Sequence, residues 1–185
     1  MRSLALFFLG SICTSVSSPG YSQQVCIVQS GQVNDIRMND NIEMVFAAFQ
    51  KDFSISEINR PHTVRYFEVT EKSTQRKWFD FSVNEHNKII IVDITGPCVT
   101  KEGIGVGSTL GQAMKAYGRP KLSPSGDGYH VFFKRFPLVG FLLNDADLPA
   151  QLRGIPDDVL TKQHEMEILK YRKARIVAIE LSTEE

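Results

Sequence analysis

Three cysteines (Cys13, Cys26, Cys98) and four histidines (His62, His86, His130, His164) are the residues whose types invite redox, metal or nucleophilic chemistry. Cys26 and Cys98 are the pair that remains if Cys13 is shed with a leader, and in an oxidising compartment such a pair closes a disulfide. Neither has a Cys or His at ligand spacing, so a metal site is disfavoured. The histidines are scattered, with no H-x-x-x-H or H-x-x-E-H spacing, and His164 beside Glu165 and Glu167 reads as a solvated helix face. No G-x-S-x-G elbow or S-x-x-K nucleophile motif is present. Gly103, Gly105 and Gly107 give G-x-G-x-G rather than the dinucleotide fingerprint, and are read as a turn before a helix. The pairs Asp145/Asp147 and Asp157/Asp158 are explained by solvent or a helix N-terminus. No catalytic residue, cofactor or metal is assigned.

Binding chemistry is easier to place. Arg65, Tyr66 and Phe67, then Lys77, Trp78 and Phe79, mix basic and aromatic residues on two stretches with strand character, and Tyr129, His130 and Lys134 with their neighbouring phenylalanines repeat the mixture later. Strand alternation sends half of these side chains inward. The outward half forms a face suited to a protein partner, with Arg65, Tyr66, Lys77, Trp78, Tyr129, His130 and Lys134 as candidate contacts. The competing reading is an ordinary packed sheet. Lys and Arg number 21 and Asp and Glu 21, so no basic excess points to nucleic acid.

The N-terminus supplies the compartment. Met1-Arg2-Ser3 is a positive n-region and Leu4 to Val16 an apolar run, too short for the roughly 20 residues that span a bilayer and suited to a secretory signal. Small residues fit cleavage after Ser22, with Ser17 as the second candidate. Ile12 stands where a lipobox needs a small residue, so Cys13 is read as lost with residues 1–22 rather than as a lipid anchor. The mature chain, with no later apolar run of transmembrane length, is expected in the periplasm or the extracellular medium.

These residues must be positioned by an α+β frame. Ile42, Val45, Phe46 and Phe49 recur at helical spacing, and Leu110, Ala113, Met114 and Tyr117 repeat that spacing. Asp40 and Ser108 precede the two helices as expected N-caps, Asp40 with Glu43 as a capping box. Gly118 and Pro120 stop the second helix. Three strand-like segments follow each helix: Thr63–Thr70 matches Tyr129–Phe136, Trp78–Asn84 matches Leu138–Asn144, and Lys88–Ile94 matches Arg175–Leu181. The expectation is a tandem duplication of a helix–β–β–β unit (about 31–96 and 102–183), with an antiparallel sheet and helices packed on one face. Where the first copy has the turn Glu85-His86-Asn87, the second has an insertion, 145–174, partly helical from Pro156. With few apolar residues in its charged stretch, it is expected to bury little area and to be the least stable part of the fold.

The segment Gly103–Pro120 (GIGVGSTLGQAMKAYGRP), followed by a Gly-rich turn and an aromatic strand, resembles the helix–strand entry of the SmpA/OmlA outer-membrane lipoprotein family and of the β-lactamase-inhibitor-protein-like fold. The latter has two tandem helix–sheet units. The resemblance implies non-catalytic binding, inhibitor-like or assembly-factor-like, to another envelope or extracellular protein. No contact residue of those families maps onto a position here. The alternative is a hydrolase or other enzyme with its site in the 145–174 insertion.

Titration of thiols in the denatured, unreduced mature protein is expected to find none free; two free thiols would refute the Cys26–Cys98 pairing. Closing a loop of about 70 residues stabilises by about 4 kcal/mol in the chain-entropy model.

Overall fold

Phe79, Phe81 and Val83 point to one side of a strand while Asp80 and Ser82 point to the other, and this alternation organises the sheet around them. The computed structural model describes residues 26–59 and 64–183; the expected leader, its cleavage sites, Cys13 and His62 lie outside them. The first elements are three short strands, β1 (Ile27–Gln29), β2 (Gln32–Val33) and β3 (Ile36–Arg37), then helix α1 (Ile42–Phe49). Strands β4 (Phe53–Ile58), β5 (Arg65–Glu71), β6 (Lys77–Val83) and β7 (Ile89–Ile94) follow. A short β8 (Val99–Thr100) leads to α2 (Leu110–Tyr117), then β9 (Lys121–Ser125), β10 (Gly128–Phe133) and β11 (Phe136–Leu143). Two 3-10 turns and α3 (Lys162–Ile168) separate β11 from the last strand, β12 (Ile176–Ser182).

The protein is a mixed α+β fold with an eight-stranded antiparallel sheet in the order β4-β5-β6-β7-β12-β11-β10-β9, and a four-stranded sheet β3-β2-β1-β8 beside it. Each helix is followed by four strands rather than the expected three. The additional strands, β4 (FSISEI) and β9 (KLSPS), are the two sheet edges, where polar residues are favoured and a proline such as Pro124 is tolerated. Their apolar alternation is correspondingly faint.

Both helices cover the same face of the sheet. Ile42, Val45 and Phe49 of α1 are buried, and the Phe49 ring meets Phe79 at 5.2 Å between centroids. Leu110, Ala113 and Tyr117 of α2 are buried, with Tyr117 5.3 Å from Phe133. Phe46, expected inward, is 37% exposed and meets Phe67 edge-on at 6.2 Å.

The N-caps fall one residue later than expected. Asn41 caps α1, and Thr109 caps α2 with a reciprocal capping box to Gln112. Asp40 and Ser108 instead close the preceding turn in the same way, their side-chain oxygens accepting from the backbone N–H three residues back, Arg37 and Gly105. Gly118 ends α2 as expected. Each helix start is also tied to its last strand by two matching bonds. Ile42 N–H donates to the Asn87 carbonyl and Ile89 N–H to that of Asp40, while Leu110 N–H donates to Ala174 and Ile176 N–H to Ser108.

Cys26 and Cys98 form a disulfide with Cα atoms 4.5 Å apart, joining β1 to β8 across 72 residues of sequence. The glycine run belongs to this corner. Gly105 lies so close to the Cys98 carbonyl that a Cβ would sit 2.4 Å from it, so packing accounts for the glycine.

The 145–174 insertion corrects the expectation of a shallow excursion. It begins where predicted: Asn144 N–H donates to the Arg175 carbonyl, as Asn84 N–H does to Lys88 across the tight turn of the first stretch. Yet Leu148, Leu152, Ile168, Leu169 and Ala174 are all buried in the main core. Its helix is α3 alone, capped by Thr161, so helix does not begin at Pro156. Val159 is 53% exposed and Leu160 only partly buried. Apolar residues that look sparse in the sequence are concentrated on the inward side.

Ile168 is fully buried. Ile168→Ala is expected to cost about 2–5 kcal/mol in urea unfolding, and replacing 145–174 by Glu-His-Asn should abolish cooperative unfolding. A loss below 1 kcal/mol together with an intact fold on replacement would return the segment to the status of an excursion.

Candidate functional site: the open face of the sheet

The sheet face away from α1 and α2 carries the side chains that alternation turns from the helices; Asp80 and Ser82 at its centre are buried, and Tyr66, Glu68, Asp93 and Glu180 around them are half-buried. A continuous line of cross-strand neighbours runs through it: Ser56 pairs with Glu68, Glu68 with Asp80, Asp80 with Asp93, Asp93 with Glu180, and Glu180 with Gly140. Four carboxylates thus stand in register on four adjacent strands. Directly opposite side chains have Cβ atoms about 4.5–5.5 Å apart, and like charges so placed are destabilising.

Two basic groups border the line. Lys77 Nζ bonds the Asp80 carboxylate and lies 3.7 Å from Glu68 Oε2. His130 Nε2 lies 3.5 Å from Glu180 Oε2. In this second contact burial disfavours both charged forms. Burial holds the His130 imidazole below its ordinary pKa, against the pull of Asp93 and Asp127. Burial, reinforced by the charge of Asp127, holds the Glu180 carboxyl above its own. Beside the row, Tyr66, Ser82 and Ile91 form the next line of neighbours. Ser82 is 1% exposed, and its hydroxyl has no hydrogen-bond partner among the described residues.

The seven candidate contacts divide. Tyr66, Lys77 and His130 lie on this face, flanking the carboxylates. Trp78 does not, although simple alternation would put it beside Asp80. Val69 pairs with Phe79 and Thr70 with Lys77, leaving Trp78 as an extra residue in a bulge. The bulge turns its ring inward against Phe53, at 4.6 Å, and Trp78 is 6% exposed. Tyr129 is likewise fully buried, its hydroxyl accepting from the Ile155 N–H of the insertion at 3.0 Å. Burial raises its pKa. Neither Trp78 nor Tyr129 presents a surface to a partner. Arg65 is exposed on the helix-bearing side, held by Glu57 at 2.8 Å and lying 5.0 Å over the Phe67 ring. Lys134 is exposed in the β10–β11 turn.

Sequence reasoning missed Glu68, Asp80, Asp93 and Glu180 as a group. The available signal was the acid-on-acid match of Asp93 with Glu180 between the two helix–strand stretches. Two carboxylates of the insertion, Asp145 and Asp147, make structural bonds instead. Asp147 is bound by the Arg175 guanidinium and backbone N–H, bonds that hold its pKa at about 2. Asp145 accepts from Gly154 N–H at 3.2 Å. No group of three or more His, Cys, Asp or Glu suited to a metal ion occurs among the described residues. No helix among them is long and apolar enough to cross a membrane.

Together these features define an α+β protein with two helices on one face of an eight-stranded antiparallel sheet and an acidic line on the other. No family model and no curated protein matches the chain. Among solved structures it is similar to the uncharacterized protein yfeY from Escherichia coli, with a TM-score of 0.57 and 12% identity, over 85% of this chain and 99% of that one. That likeness concerns the fold alone.

For an acid whose folded-state pKa is raised, the folded form is penalised while the group is charged, and the penalty disappears as pH falls through that pKa. Glu180→Gln is therefore expected to raise the melting temperature at pH 7, with the gain over wild type closing as pH falls toward 4.5. An equal gain at both pH values, or a loss at pH 7, would show that Glu180 is not strained by its surroundings.

Proposed function

We propose that this is an exported envelope protein, periplasmic or secreted, that acts without catalysis by binding another protein, inhibitor-like or assembly-factor-like, through the open face of its sheet. The observation that carries this reading is the row Glu68–Asp80–Asp93–Glu180. Like charges directly opposite on neighbouring strands are destabilising, Lys77 meets the pair Glu68 and Asp80, and departures from a local rule occur most often at functional sites. The complementary partner presents Lys or Arg at strand-like spacing. Half-buried Tyr66 at the border supplies an aromatic contact of the kind interfaces favour. The disulfide and the signal-like N-terminus support export.

The same reading includes an origin by tandem duplication. Both stretches run helix then four strands, and both have matching bonds between helix start and last strand. β7 and β12 pair reciprocally, Val92 with Leu181 and Ile94 with Ile179, about the central pair Asp93 and Glu180. The pair Asp93 and Glu180 is where the two stretches meet. Asp147 of the insertion is engaged by Arg175 and one oxygen of Asp145 by the Gly154 N–H, which favours the binding reading over the enzyme alternative.

The test places a photo-crosslinking residue at Tyr66 and, as a control, at Met44 on the exposed side of α1, in cells expressing the full chain. A partner captured from position 66 alone, and weakened about tenfold by Glu68→Lys and by raising salt to 0.5 M, is the expected result. Equal capture from both positions, or capture indifferent to Glu68→Lys and salt, overturns the proposal.

A further inference from the structure

On the opposite side of the molecule the insertion builds a second feature. Helices α2 and α3 wall an open groove of about 730 Å³. Its apolar surface is Met114 from α2 and Met166 and Leu169 from α3 and its end, and Arg119, Lys170 and Arg172 stand around it. No carboxylate lines it. Lys170 is paired with Glu167, whereas Arg119 and Arg172 make no ion pair among the described residues. Arg119 by itself is accounted for by the C-terminal end of α2, which attracts cations. Arg172 is not, because it comes from the link between α3 and β12.

The spacing of the walls is fixed by backbone. Gly111 N–H donates to the Arg172 carbonyl at 2.8 Å, and a Cβ on Gly111 would lie 3.0 Å from that oxygen. The α3–β12 link therefore stays against α2. Among the described residues nothing comparable flanks α1, where Met44 and Phe46 are 52% and 37% exposed. The groove exists because the second stretch carries the insertion.

We infer that this groove binds a single-chain anionic amphiphile, an acyl chain ending in a carboxylate or phosphate monoester. The alkyl chain lies along Met114, Met166 and Leu169, and the headgroup meets Arg119 and Arg172. Three observations select this occupant. The apolar lining flanked by cations matches a ligand that is apolar at one end and anionic at the other. The two methionines are unbranched and adapt to a flexible chain. Arginine is the side chain suited to a planar carboxylate or a phosphate.

The experiment uses the full mature chain with 13C-labelled methionine methyl groups, titrated with dodecanoate, dodecyl phosphate and the neutral dodecyl maltoside, each below its micelle concentration. Met114 and Met166 signals are expected to shift with the two anionic probes while Met38 and Met44 stay in place. Calorimetry should show Arg119→Gln with Arg172→Gln weakening dodecanoate binding about tenfold or more, in a variant that still unfolds cooperatively. A separate Met166→Gln variant should weaken binding through the chain end. Equal shifts with the maltoside would reduce the groove to a nonspecific apolar patch. Sedimentation with phosphatidylglycerol vesicles without monomer binding would make it a membrane surface, and binding of an acidic helical peptide without dodecanoate binding would make it a protein site. Each of these outcomes, or unchanged affinity in the arginine variant, overturns the inference.

Discussion

The antiparallel pairing of β7 with β12 is the constraint on which the rest of the molecule depends. It joins two four-stranded halves into one sheet, and because strand side chains alternate with period two, it sets the content of both faces at once. Ile94 opposite Ile179 and Val92 opposite Leu181 put four buried aliphatic side chains under the helices. The residue between them on each strand, Asp93 and Glu180, is then forced onto the other face and into direct opposition. A slip of one residue would move Ile94 and Val92 out of the core and Asp93 into it. Core burial of the aliphatic pairs therefore holds two like charges together that would otherwise separate.

The electrostatic consequence is local. Partial burial makes the charged forms of both Glu180 and His130 unfavourable, so the carboxyl is pushed up and the imidazole down although the two lie 3.5 Å apart. Lys77 reaches Asp80 and Glu68 at the other end of the row. The bulge that admits Trp78 to the core is the same feature that turns Lys77 onto the open face, so the packing of one aromatic ring and the charge of the acidic row are coupled through one extra residue.

The insertion plays an equally structural part. Its buried Leu148, Leu152 and Ile168 close the core, and its backbone at Ile155 satisfies the otherwise buried hydroxyl of Tyr129. Arg175 and Asp147 fasten its end to its beginning. The first stretch needs none of this, since three residues suffice to turn between β6 and β7. The second half of the sheet is thus covered by α2 and the insertion together, and the groove between α2 and α3 follows from that covering.

Local pattern alone determined the two amphipathic helices, the strands between them, the stop at Gly118, the Asn144 branch point of the insertion and the pairing of Cys26 with Cys98. Each depends on periodicity, on an end signal or on the two cysteines that lie outside the expected leader, and all of these can be read along the chain. The edge strands β4 and β9 were hidden because edges favour polar residues and tolerate proline, which erases the alternation. Tertiary structure alone decided that Trp78 and Tyr129 go inward, that the insertion belongs to the core, and that Glu68, Asp80, Asp93 and Glu180 stand in one row. Asp93 and Glu180 were visible as matching acids in two similar stretches, but opposition is a property of register between strands far apart in sequence. Register is set by which side chains the core accepts and by where a bulge adds a residue, and no single segment carries that information.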